Sequence, residues 1–88
     1  MIKSVYSKAV LDLPETGKKL KTVMQQKGMS PRRIQAMLGF SYVQTIYNWF
    51  SGKNMPNLDN LLALESILDV KMDDLVATHS VEIEYEEE

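Results

Sequence analysis

Ser41-Tyr42-Val43-Gln44-Thr45-Ile46-Tyr47-Asn48-Trp49-Phe50-Ser51-Gly52 reads as one short amphipathic helix with a strong start and a strong stop. Ser41 is a good N-cap, and Gln44, three positions on, has the reach to accept from the Ser41 backbone N–H in a capping box. Gly52 supplies the stop, since glycine takes up left-handed backbone at little steric cost. Ile46, Trp49 and Phe50 recur at the i, i+3, i+4 spacing of a face packed on a core, leaving Val43, Gln44, Thr45, Tyr47 and Asn48 outside. That outer face carries no charge. A solvated helix face is usually rich in lysine and glutamate, whereas amides, hydroxyls and methyl groups suit the edges of base pairs in a major groove.

Around this stretch the chain is 88 residues long, enough for one small domain with a single modest core. The absence of cysteine removes disulfides, zinc-thiolate sites and thiol nucleophiles together, and fits a reducing cytoplasm. No segment approaches the roughly 18 apolar residues of a membrane span, and the first residues lack the apolar core of a signal peptide. A cytoplasmic protein with no membrane partner is therefore expected. The net charge of −2 conceals a segregation of signs. Residues 1–57 hold nine Lys/Arg against Asp12 and Glu15, a balance of +7, while residues 58–88 hold Lys71 against ten acids, a balance of −9. Such a split suggests one half facing a polyanion and another kept away from it.

Residues 1–13 alternate loosely between apolar and polar and read as an arm or strand. Asp12 and Glu15, with Pro14 between them, open a first helix that Gly28 closes, with Leu13, Leu20, Val23 and Met24 on one face and Lys18, Lys19, Lys21 and Lys27 on the other. Ser30-Pro31 opens a second helix, in which Ile34, Met37 and Leu38 form the inner stripe before Gly39 ends it. Asn57 or Leu58 begins a fourth helix whose Leu58, Leu61, Leu62, Leu64, Ile67 and Leu68 make a broad apolar face. Met72 to Val76 forms a short fifth. Beyond Thr78, Val81, Ile83 and Tyr85 alternate with Glu82, Glu84 and Glu86, a strand pattern. The expected organisation is an arm or strand at 1–13, a helical domain at 14–77, and an acidic tail or strand at 78–88.

With five helices in this order, the segment from Thr16-Gly17 to Leu75 resembles the lambda-repressor-like (Cro/cI, or XRE) helix-turn-helix domains. The resemblance rests on Ile34, Leu38, Gly39 and Phe40 in the second helix and turn, and on Ile46 and Trp49 as inward positions of the third. It continues through Ser51-Gly52-Lys53, Pro56-Asn57-Leu58 with Leu61-Leu62-Ala63-Leu64, and Leu68 to Leu75. It implies a mainly α fold, a five-helix bundle whose second and third helices read DNA. The terminal residues themselves suggest either a small antiparallel β-ribbon of Lys3 to Leu11 against Val81 to Tyr85, with Lys3 and Lys8 opposite Glu82, Glu84 and Glu86, or a disordered acidic tail. Two departures fall in the reading unit. Gln35 stands where the family usually has a small residue, and one residue more than usual separates Gly39 from Ile46. Either the turn is lengthened or the second helix is shifted in register.

The resemblance implies a transcriptional regulator, a repressor, that binds specific double-stranded DNA with a recognition helix at about 42–51. Val43, Gln44, Thr45 and Asn48 are the expected base contacts. Gln44 or Asn48 suits adenine, and Val43 and the Thr45 methyl suit thymine. Ser30, Arg32, Arg33, Tyr42, Tyr47, Ser51, Lys53 and Asn54 are the expected phosphate contacts, since helix-start amides and flanking cations attract phosphate oxygens. Trp49 is core by its period. No catalytic residues, metal ligands or cofactor are expected: the single histidine, His79, is a surface residue, no phosphate-cradling glycine loop occurs, and Glu84 to Glu88 lacks the spacing of a calcium loop. A weak or DNA-assisted homodimer is expected. The rival reading is a protein-interaction module, such as an antitoxin or polymerase-binding adaptor, that meets a protein partner through the acidic C-terminal tail or the leucine-rich fourth helix.

Overall fold

The computed structural model describes residues 2–88. Five helices follow one strand and precede another: β1 (Ile2–Leu11), α1 (Leu13–Gln26), α2 (Pro31–Leu38), α3 (Gln44–Phe50), α4 (Leu58–Leu68), α5 (Met72–Leu75) and β2 (Thr78–Glu87). Three starts are written in short-range hydrogen bonds. The Asp12 carboxylate accepts from the Glu15 N–H at 3.0 Å, the Ser30 hydroxyl from Arg33 at 3.2 Å, and the Asn57 side-chain carbonyl from Asn60 at 2.8 Å. Each occupies an N–H that the first turn of a helix leaves without a partner. The stops are equally local. At Gly28, Gly39 and Gly52 the backbone turns left-handed, and the next residue donates back to a carbonyl five positions earlier, as Phe40 does to Gln35 at 3.0 Å.

The helices enclose one core of Leu20, Met24, Ile34, Ile46, Trp49, Leu61, Leu64, Leu68 and Leu75. Each of the fully buried leucines or isoleucines contributes about 1.5–3 kcal/mol relative to exposure. Trp49, at 3 % exposure, is core, with the Phe40 ring edge-on to it at 5.6 Å. Three residues expected inside are not. Met37 is 51 % exposed, and Leu58 and Leu62 are 66 % and 48 % exposed. The apolar face of α4 is wider than the surface available to cover it: Leu61, Leu64 and Leu68 take the inner stripe, and Leu58 and Leu62 fall to its flank.

α1 lies directly on the end of α3. A Cβ at Gly17 would stand 2.4 Å from both the Trp49 and Phe50 carbonyl oxygens, so hydrogen is the only side chain that this approach admits. One residue earlier, the fully buried Thr16 hydroxyl donates to the Ala77 carbonyl at 3.2 Å and accepts from the Ala77 N–H at 2.9 Å. The Asp12 N–H also donates to the Ala77 carbonyl, at 2.9 Å. These bonds hold the root of the terminal sheet on α1. Lys19, expected on the outer face, is exposed but occupied, donating at 2.9 Å to the carbonyls of Asp73 and Val76 at the end of α5.

The two termini do form an antiparallel ribbon, continuous from Ile2 opposite Glu87 to Leu11 opposite Thr78. The molecule measures 54 × 23 × 19 Å, elongated because the ribbon extends from the helices instead of lying across them. Lys3 stands opposite Glu86, with its ammonium 3.9 Å from Glu84. Lys8 stands opposite Val81, not opposite a glutamate. His79 is exposed at the root, 3.5 Å from the Asp12 carboxylate.

Candidate nucleic-acid interface

α2 and α3 are joined by the five residues Gly39–Val43, with Gly39 as the left-handed stop of α2. The start of α3 differs from the expectation. The helix begins at Gln44 and not at 41 or 42, and its first hydrogen bonds run from Ile46 and Tyr47 to the Val43 carbonyl. Ser41 does not cap it, and no side chain does. Gln35, one of the two departures, reaches across the same turn: its side-chain amide donates to the Phe40 carbonyl at 3.1 Å. Gln35 thus satisfies a backbone carbonyl within the turn between the two helices.

Because Gln44 is released from capping, its amide takes another partner. Gln44 Nε2 donates to Asn48 Oδ1 at 3.0 Å, pairing the two amides one helical turn apart on the outer face of α3. Gln44 Oε1 remains as an acceptor and Asn48 Nδ2 as a donor. Gln44 is exposed, while Val43, Thr45 and Asn48 are half-buried beside it. Tyr42, 75 % exposed, stands in the turn, and Tyr47 leans edge-on to Phe50 at 6.0 Å.

The Asn48 backbone carbonyl organises the loop after α3. It accepts from the Ser51 hydroxyl at 3.2 Å, the Lys53 N–H at 3.0 Å and the Asn54 N–H at 3.4 Å. Ser51, Lys53 and Asn54 are thereby gathered at the end of α3 with their side chains exposed. Ser30, Arg32 and Arg33 are gathered, also exposed, at the start of α2. These clusters are neighbours, since Pro31 of α2, Tyr47 and Phe50 of α3 and Ser51 just after it line one groove of about 530 Å³. Lys18 and Lys21 of α1 line it too, two cations absent from the expected phosphate contacts because helical periodicity alone puts them on a solvated face. Lys18 donates to the Glu15 carboxylate at 3.0 Å, and that hydrogen bond, with the charge behind it, raises the lysine pKa above its ordinary value. Among the described residues no cluster of His, Asp or Glu could hold a metal ion, and no helix is long and apolar enough to cross a membrane.

A short helix packed on α1, joined by a five-residue turn to a second short helix before it, with a polar uncharged face outward, is a helix-turn-helix unit. The profile of the helix-turn-helix family matches residues 20–75, and the chain belongs to that family, in its Cro/cI-type branch. The DNA-binding domain of BldD, a solved structure, superposes with a TM-score of 0.61 at 17 % identity, over 74 % of this chain and 93 % of that one, which establishes the shared fold. No curated protein matches the sequence.

Proposed function

We infer that this protein is a transcriptional regulator that binds double-stranded DNA sequence-specifically and represses by occupying its site. The observation that carries this reading is the outer face of α3, where the paired amides of Gln44 and Asn48 stand clear of charge beside Val43 and Thr45. The acceptor and donor left free on that pair complement the adenine N6 amino group and N7, and the neighbouring methyls suit a thymine. Ser30, Arg32, Arg33, Tyr42, Tyr47, Ser51, Lys53 and Asn54 would hold the flanking phosphates, fixing register without reading sequence. Family membership supports the reading, as does the likeness to a domain described as DNA-binding.

Selection of bound sites from random duplexes, followed by titration of the selected site, tests it. Gln44→Ala should cost about 1–3 kcal/mol at that site and relax one base position. Because the two amides are paired, Gln44→Ala and Asn48→Ala should be non-additive by about 0.5 kcal/mol or more. Equal weakening on all sequences would remove Gln44 from base recognition. The exposed Leu58 and Leu62 favour the second reading, a protein-interaction module. Salt separates the two, because binding through several phosphates falls steeply as salt rises and an apolar interface does not.

A further inference from the structure

The terminal ribbon has two unlike faces. Side chains alternate along each strand, so the observed register puts Ile2, Tyr6, Val10, Val81, Ile83 and Tyr85 on one face, where the Tyr6 and Tyr85 rings meet edge-on at 5.8 Å. The same face carries Ser4, Lys8, His79 and Glu87, whose carboxylate accepts from the Ser4 hydroxyl at 2.9 Å, while Lys3, Glu82, Glu84 and Glu86 occupy the opposite face with Val5 and Leu11. The apolar face is uncovered at its outer end, with Ile2 69 %, Tyr6 48 % and Tyr85 41 % exposed. A two-stranded ribbon with one bare apolar face is marginal in water and gains most from a covering layer. DNA is a poor cover, because the glutamates of β2 repel phosphate. Those same glutamates oppose extension of the sheet at the β2 edge, where a twofold-related strand would bring like charges together.

We propose that this face packs on the same face of a second copy, the ribbons stacked antiparallel about a twofold axis. The charges select that direction. Glu87 lies at the outer end of the ribbon, while Lys8, paired with Val81, lies six residues nearer the root, about 20 Å away at strand spacing. A twofold axis across the strands reverses the order of the rows, bringing Lys8 of one copy diagonally beside Glu87 of the other, twice per dimer. It also carries the helical bodies to opposite ends, where they do not collide. Stacking in the parallel sense would leave Lys8 and Glu87 as far apart between copies as within one. In that register the seven rows from Ile2 to Lys8 overlap, and seven residues at about 3.4 Å over a width of about 10 Å give a footprint of roughly 480 Å² on the two copies together. A standing interface usually buries about 1,200–2,000 Å². The association is therefore reversible, and the monomer and dimer exchange with concentration.

Sedimentation equilibrium of the full chain up to millimolar concentration, with Lys8→Glu, Glu87→Lys and the double variant, tests the arrangement. Amide exchange at Val81 to Tyr85 confirms that each variant keeps its ribbon. The wild type should be a monomer–dimer mixture, each single charge reversal should weaken dimerisation by about fivefold or more, and the double variant should recover most of the loss. Net charge alone would let Glu87→Lys, whose charge falls from −2 to 0, associate more tightly, so weakening by both reversals with recovery in the double variant reports a contact across the interface. A wild type that stays monomeric throughout, single variants that dimerise like the wild type, or a double variant with no recovery would each overturn the proposal.

Discussion

Substituting Gly17 by alanine puts one methyl group where α1 meets the end of α3. The added carbon would lie 2.4 Å from each of two backbone carbonyl oxygens, against about 3.4 Å for the onset of ordinary contact, so the helices must separate by about 1 Å. Neither oxygen belongs to a side chain that could rotate away. Overpacking a well-packed site costs about 1–3 kcal/mol, and this site, bounded by backbone, belongs at the upper end. Alanine returns about 0.5–1 kcal/mol through its better helix propensity. The expected net loss is about 2 kcal/mol, or roughly 8–16 °C in melting temperature for a domain of this size. Urea and thermal melts measure it, with Gly28→Ala as the comparison: nothing lies within 4 Å of a Cβ there, so only the left-handed backbone resists. The loss at Gly17 should be accompanied by weaker binding to the selected duplex, because the displaced element is α3. A Gly17→Ala protein as stable as the wild type would refute the close approach and the account of how α3 is held.

Thr16→Val keeps the shape of a buried side chain but leaves the Ala77 N–H without its partner, so stability should fall by about 1–3 kcal/mol. Amide exchange should show the root of the ribbon opening first. Gln35→Ala should remove about 1 kcal/mol with the Phe40 hydrogen bond, and exchange should quicken within Gly39–Val43 more than elsewhere. Unchanged exchange in that turn would mean that Gln35 does not brace it. Lys53→Ala should weaken selected and random duplexes alike and reduce the salt slope by about one unit. An unaltered slope would place Lys53 outside the interface.

Most of the helical frame was legible in the residues alone, because the interactions that start and stop a helix span three to five positions. Asp12, Ser30 and Asn57 cap as their spacing predicts, and Gly28, Gly39 and Gly52 turn the chain left-handed where the apolar periodicity ends. The ribbon's existence was legible too, in the alternation of Val81, Ile83 and Tyr85. The start of α3 was not. Ser41 has the residue type of a cap, but capping requires the turn to deliver it to the helix. That path is decided by Phe40 packing on Trp49 and by Gln35 holding the Phe40 carbonyl. Exposure was decided the same way: Met37, Leu58 and Leu62 satisfy the period of a buried stripe, yet a small core covers only part of each helix. The ribbon's register and direction depend on Thr16 and Ala77, 61 positions apart. Pairing over such a separation leaves no periodic trace in the sequence, so only the folded chain reveals that Lys8 faces Val81 and that one apolar face of the ribbon stands open.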